Sequence, residues 1–307
     1  MGTQLNARGV GFEQCFDAVN LSDPDLVGDI HRAYIEAGAQ IIQTNTFGAN
    51  RYKLSAHGLE GQVAEVNRAG VELARKAAGE SGKDILVAGD VGPLGVRLAP
   101  YGRVQPEQAR QAFAEHMAAL AAAGVDLLIL ETFSDLHELR EAVAAAREVA
   151  APLPILASMT YTRDDRTLLG DSPAQVARLL AELGVDVIGA NCSGGPAQMW
   201  RILREMRAVV GADQRVRPSL SAMPNAGWPE QVGGRIMYPA NPDYFGEYAL
   251  AFCEAGARLV GGCCGTTPAH IAAMRRALDG QAEGCAPTPE ELSLPVEIDE
   301  GMASPER

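Results

Sequence analysis

Seven short runs, most of them nearly all apolar, recur along the chain, and a longer stretch of helical period follows each. The runs are "AQIIQTNTF" (39–47), "DILVAGDVG" (84–92), "VDLLILETF" (125–133), "PILASMTY" (154–161), "VDVIGANCS" (185–193), "RPSLSAM" (217–223) and "RLVGGCC" (258–264). A strand that is apolar on both faces has to be covered on both, which is the situation of a parallel strand between helices. Helical patterns lie near 24–37, 60–80, 106–123, 135–150, 172–183, 196–209, 242–255 and 268–278. Several open on a proline, as in Asp23-Pro24, Gln105-Pro106, Ser172-Pro173 and Thr267-Pro268. Proline fits the first helical turn because the N–H it lacks would have no partner there. Strict alternation from residue 24 to residue 278 predicts an α/β protein, a (β/α)8 TIM barrel. An open doubly wound sheet alternates in the same way, but no glycine-rich dinucleotide loop follows an early strand.

The count is uneven. The helix at 24–37 precedes the first recognisable strand, so its own strand is expected upstream of Met1, through a start codon placed too late or a trimmed chain. A barrel with its first strand truncated has an open seam and two unpaired edges. After Leu278 the apolar period stops, and "DGQAEGCAPTPEELSLPVEIDEGMASPER" is rich in Pro, Glu and Gly. The expected organisation is a barrel over 1–280 and a tail or linker over 281–307.

Charge and composition remove several classes. A formal net charge of −13, with no Lys/Arg cluster interleaved with aromatics, argues against nucleic acid. No apolar run approaches the roughly 20 residues of a membrane span. "MGTQLNARGV" lacks the layout of a signal peptide, and its sixth residue is not the Ser or Thr of a myristoylation site. Six cysteines in 307 residues are too few for a disulfide scaffold, so a cytoplasmic location is expected. In that compartment clustered cysteines more often bind metal or react.

In a (β/α)8 barrel, functional groups collect at the C-terminal ends of the strands. There the sequence places Thr44-Asn45-Thr46, Asp90, Glu131-Thr132, Asn191-Cys192 and the adjacent pair Cys263-Cys264. Neighbouring cysteines resist bonding to each other, because a vicinal disulfide strains the peptide between them. One strand separates the Cys192 strand from the Cys263-Cys264 strand, so three thiols can converge at the mouth. Three thiolates and one open position suit Zn2+. Glycines 261, 262 and 265 would let the backbone turn both side chains inward. The competing reading is plain packing, since buried free cysteines are common. Cys15, Cys253 and Cys285 lack such a context, and the histidines at 31, 57, 116, 137 and 270 read as solvated or capping residues. A Cys2His site using His270 is the weaker variant, because its helix points that residue away from the mouth.

"GANC" followed by "GGCCGTTPAHI" resembles the homocysteine S-methyltransferase family, which includes the N-terminal module of cobalamin-dependent methionine synthase and betaine–homocysteine methyltransferase. Similarity continues through "YIEAGAQIIQTNTFGAN", "GDVGP", "GVDLLILETFSD" and "MPNAGWP". The resemblance implies a zinc-bearing barrel in which Cys192, Cys263 and Cys264 match the metal ligands. It also implies that Glu131 holds the substrate ammonium group. "MPNAG" and "YPANPDYF" resemble methionine-synthase-like members and proteins fused to a methylenetetrahydrofolate reductase, which favours a folate- or cobalamin-linked donor and a fused or partner reductase. The family opens on Asp-Gly-(Gly or Ala)-Met-Gly-Thr, and only Met1-Gly2-Thr3 is present here. In relatives the missing aspartate contacts the substrate amino group, so weak homocysteine binding and low activity are expected without it.

The function expected is zinc-dependent transfer of a methyl group to homocysteine thiolate, giving methionine. Methyl transfer to sulfur requires a thiolate, and a free thiol is mostly protonated at neutral pH. Asn45 and Asn191 are further substrate-binding candidates through hydrogen bonds. S-methylmethionine and betaine are alternative donors. An inactive homologue with a structural zinc, or a redox pair at Cys263-Cys264, are rivals from other classes. Structural zinc normally has four protein ligands, and no CxxC pair supports redox exchange.

Overall fold

In a computed structural model the apolar runs become strands and the periodic stretches become helices. The structure describes residues 1–211, 218–232 and 235–280. Seven parallel strands form one sheet: β1 (Ile41–Gln43), β2 (Leu86–Val91), β3 (Leu127–Phe133), β4 (Ile155–Met159), β5 (Val187–Cys192), β6 (Ser219–Pro224) and β9 (Ala257–Val260). Their order in the sheet is their order in the chain, and every neighbouring pair is parallel.

All eight expected helices are present: α3 (Pro24–Glu36), α5 (Val63–Glu80), α6 (Pro106–Ala122), α7 (Leu136–Val149), α8 (Pro173–Glu182), α9 (Pro196–Val210), α10 (Pro242–Glu254) and α11 (Pro268–Gly280). Their starts follow the caps. The Asp23 side chain accepts from the Leu26 N–H, and Ser172 and Gln175 form a reciprocal capping box at α8. Short elements escape the sequence pattern: α1 (Gly2–Ala7), α2 (Val19–Ser22), α4 (Arg51–Ser55) and a hairpin of β7 (Glu230–Val232) with β8 (Arg235–Met237).

Side chains alternate across each strand. One face of the sheet packs on the helices through the main core, with Val87, Leu128, Leu130, Ala157, Ile188 and Leu220. The other face carries a smaller apolar cluster of Ile41, Ala88, Leu127, Ile129, Leu156, Val187, Met223 and Leu259, drawn from all seven strands. A flat sheet could not bring its first and last strands into one cluster, so the sheet is curled around an interior, TIM-barrel-like. The curl carries α3 to α11, where the Tyr34 hydroxyl donates to the Thr266 carbonyl (2.8 Å) and Arg275 donates to Gln40 (3.0 Å). Among the described residues no strand joins β1 to β9, and α1 takes up residues 2–7. The tail expected over 281–307, with the reductase junction read into it, lies outside the described residues. No helix among those described is long and apolar enough to cross a membrane.

Candidate metal and substrate site

The C-terminal ends of the strands carry the polar groups. β5 ends at Cys192, and there the backbone leaves the extended region: Cys192 and Ser193 have φ of 57° and 59°. Thr132, just past Glu131 on β3, has φ 63°. Non-glycine residues adopt this region at a cost, which surrounding contacts must offset. Here the contacts are visible. The Ser193 hydroxyl accepts from the Tyr161 N–H (2.7 Å), and Asn225 donates through Nδ2 to the Ser193 carbonyl (2.9 Å).

Asn225 also accepts, through Oδ1, the N–H of Cys264 (3.0 Å). One buried side chain therefore holds the Cys192 turn to the Cys264 turn. The Cys263 N–H donates to the Pro224 carbonyl (2.8 Å), and the Thr266 hydroxyl donates to the Cys263 carbonyl (2.7 Å). Of the three glycines expected to turn this segment, only Gly265 has positive φ (78°). A Cβ there would also lie 2.2 Å from the Tyr238 ring.

The Sγ atoms of Cys192, Cys263 and Cys264 lie within 4.8 Å of one another, and all three residues are half-buried. Tetrahedral zinc with Zn–S bonds of 2.3 Å needs sulfurs about 3.8 Å apart, so the set fits with small adjustments. Its electrostatics point the same way. The Cys264 thiol is pulled down to about 3 because Cys192 and then Cys263 donate hydrogen bonds to its thiolate. Cys263 is pushed well above the ordinary thiol range by donating to Cys192 and Cys264, and burial adds to this. The cluster thus carries one thiolate shielded by two protons, and a divalent cation can take the place of those protons. Among the described residues no His, Asp, Glu or further Cys joins the group, which leaves a fourth position open.

Glu131 stands on the inner face of β3, 9% exposed, and its Oε2 accepts from Gln43 Nε2 (2.9 Å). Burial raises its pKa. Asn191 is fully buried and clamps rather than hangs free. Its Oδ1 accepts the Thr132 N–H (2.8 Å), and its Nδ2 donates to Thr132 Oγ1 (2.7 Å) and towards Cys263 Sγ (3.7 Å). Asn45 donates to the Phe16 carbonyl (2.7 Å) and to Asn20 Oδ1 (3.0 Å), so its amide nitrogen ties the N-terminal segment to β1.

His270 is no ligand. Its Nδ1 meets Thr267 at the start of α11 and its Nε2 meets the Ala240 carbonyl (3.1 Å), a capping role as expected. His57 and His137 are exposed. His31 and His116 correct the expectation of solvated or capping histidines. Both are buried in α3 and α6, and burial lowers each to about 3, so they are neutral imidazoles. Cys15 and Cys253 are half-buried free thiols, and Cys285 lies outside the described residues.

An open cleft of about 530 Å3 leads to the thiols. Cys192 and Cys264 form its floor, and Thr162, Arg163, Trp228 and Tyr238 line its walls. The Arg163 guanidinium lies over the Trp228 ring, 4.7 Å from its centroid. Trp228 and Tyr238 flank the β7–β8 hairpin, and Trp228 reaches the Cys192 turn over Gly194, where a Cβ would lie 2.6 Å from the indole nitrogen. Sequence reasoning missed Asn225 and Trp228, although both lie in "MPNAGWP" immediately past the β6 end.

A profile of the homocysteine S-methyltransferase family matches residues 1–278. The chain belongs to that family of methyltransferases. It is 36% identical over 285 residues to a methionine synthase of Mycobacterium tuberculosis, an alignment covering 88% of this chain and 23% of that protein. A methionine synthase of Mycobacterium leprae is 35% identical over 298 residues, covering 91% of this chain and 24% of the relative. The chain thus spans about a quarter of the curated relatives it matches. Among solved structures, the metallated form of the homocysteine methyltransferase MmuM from Escherichia coli superposes with a TM-score of 0.74 at 30% identity, covering 90% of this chain and 93% of that one.

Proposed function

We propose that this chain is a zinc-dependent homocysteine S-methyltransferase that gives methionine, with Cys192, Cys263 and Cys264 as the metal ligands. The observation that carries the reading is the convergence of three thiols within 4.8 Å at the mouth of a curled parallel sheet. The metallated state of the Escherichia coli homocysteine methyltransferase supports it. Bound zinc supplies a Lewis acid that takes the substrate sulfur as its thiolate at neutral pH.

The chain's own residues do the rest. Three cysteine thiolates offset the charge of the ion, which leaves the substrate sulfur electron-rich enough to attack. Asn191 and Asn225 would hold Cys263 and Cys264 in place for the metal by hydrogen bonds to the Cys263 sulfur and the Cys264 N–H. Glu131 receives the ammonium group of homocysteine, and Asn45 retains a carbonyl oxygen for a ligand. The walls of the cleft hold the donor in line with the sulfur, where orientation contributes most to rate. Sulfur's lone pair then forms the S–CH3 bond as the donor–methyl bond breaks, its electron pair leaving with the donor.

The donor reading is folate- or cobalamin-linked. The two mycobacterial relatives described above are methionine synthases. The cleft supports this independently. The Trp228 ring in its wall is already covered by the Arg163 guanidinium. A sulfonium or quaternary ammonium donor, such as S-methylmethionine or betaine, would meet the like charge of Arg163 beside that ring.

X-ray absorption on the zinc-loaded protein tests the mechanism. The expected result is a three-sulfur shell that becomes four-sulfur on addition of homocysteine and does not change with homoserine. A shell unaltered by homocysteine would show that the metal does not engage the substrate thiol.

A further inference from the structure

Asp90 ends the inward-facing row of β2, two residues beyond Ala88 of the interior apolar cluster. It is 5% exposed, and its Oδ1 is sealed from solvent with no hydrogen-bond partner among the described residues. Two more sealed and unpartnered oxygens share this inner face, Ser158 Oγ on β4 and Ser221 Oγ on β6. Ser158 and Ser221 stand level with each other across Gly189 of β5, and Asp90 stands level with Leu156, two residues before Ser158. Gly189 leaves room for Ser158, since a Cβ there would lie 2.1 Å from Ser158 Oγ. A buried acceptor without a donor costs roughly 1–3 kcal/mol, and more if it is charged. The two serine hydroxyls can donate as well as accept, but neither reaches Asp90, whose Oδ1 stays unpaired among the described residues.

Glu131 is the adjacent carboxylate. Asp90 stands opposite Ile129 in the β2–β3 register, so Glu131 is the next inward residue beyond it on the neighbouring strand. Gln43 meets one oxygen of Glu131 and none of Asp90. Burial and then the neighbouring Glu131 push the Asp90 carboxyl well above its usual range. The N-terminal ammonium and then Lys53, which sits 4.2 Å from the centre of the Phe47 ring, draw the Asp90 carboxyl down, but neither reaches its Oδ1 among the described residues. Two adjacent buried carboxylates cannot both ionise without a cation between them.

We infer that Asp90 is a second substrate anchor, sharing the ammonium group of the amino-acid thiol with Glu131. The inference rests on the homocysteine reading above. An ammonium offers three N–H donors and one positive charge. Glu131 uses part of that supply, and Asp90 Oδ1 is the acceptor placed to use the remainder. The pair therefore selects for an amino group and not merely for a thiol, which is the kind of discrimination that unpaired buried polar groups enforce.

The test compares homocysteine with 4-mercaptobutanoate, its analogue without the amino group, by calorimetry on the zinc-loaded protein. In Asp90→Asn, homocysteine should bind at least tenfold more weakly, while 4-mercaptobutanoate binds as well as before or better. Zinc content and melting temperature confirm that the variant is folded, and Asp90→Ser serves in its place if it is not. Equal homocysteine affinity in parent and variant overturns this inference alone. So does an equal loss for both thiols, which would mark Asp90 as a structural residue. A parent that binds neither thiol overturns the homocysteine reading, and this inference with it.

Discussion

The left-handed backbone at Cys192 and Ser193 is held by the Asn225 bracket and by the Tyr161 amide, so the thiol is aimed by its neighbours. Metal content should follow from this geometry. Cys192→Ala, and separately the Cys263→Ala/Cys264→Ala double variant, should lose nearly all zinc by atomic absorption, because two remaining sulfurs or one make a poor site. Full retention in either would remove the site. Asn225→Ala should keep the ligands but weaken zinc roughly 10- to 100-fold in a chelator competition, as loss of an orienting partner commonly does. The cysteines were legible from sequence because adjacent thiols at a strand end are rare and chemically loud. Asn225 was not, since a side-chain amide carries no signal until the two turns it bridges are brought together.

Elements depend on their caps and on the burial of their inner faces. Ser172→Ala should remove one arm of the α8 capping box and cost about 1 kcal/mol of stability, read as a lower urea midpoint with zinc content unchanged. Buried histidines add a pH dependence. His116 in α6 is held neutral down to about 3 by burial, whereas an unfolded chain binds its proton near 6.5. As pH falls from 6.5 towards 3 the unfolded state gains a proton that the native state refuses, so native stability drops. Relative to His116→Gln, the parent should lose about 1.4 kcal/mol per pH unit below 6.5 in urea titrations at pH 7, 6 and 5. Comparison with that variant separates His116 from Glu138, which burial raises to about 7 and whose stabilisation is lost as pH rises from 4.5 through 7. A parallel response in parent and variant would show that the imidazole titrates in the native state. All eight long helices were readable from period and cap, but sequence could not tell that His31 and His116 face inward. The β7–β8 hairpin was missed because its strands are three residues each, too short for an alternation to register.

Across the whole molecule, the site draws on β3, β5, the turn after β6 and the turn after β9. Metal binding therefore braces one side of the curled sheet. A chelator should lower the melting temperature of the zinc-loaded protein, since an ion at 100 times its dissociation constant adds about 2.7 kcal/mol to the native state. Hydrogen exchange should rise at 192–195, 224–226 and 261–266, while residues 41–91 keep their protection. The alternation predicted this architecture because a parallel sheet leaves its period in every segment. How far the sheet curls was not readable, since curl is set by contacts such as Tyr34 with Thr266, 232 residues apart.

That dispersal has a consequence in time. Asn191 meets Cys263 across 72 positions of chain, and contacts of such long sequence separation form late, after the entropy of closing the loop has been overcome. An emerging chain has Cys192 long before it has Cys263 and Cys264, so no early fragment offers more than one of the three sulfurs. Ion capture is then a clock that strikes once, when the final βα unit docks. In stopped-flow refolding, a zinc-sensitive dye should report uptake in step with the slowest rise of tryptophan fluorescence, and uptake in an earlier phase would mean that the thiols gather before the sheet does.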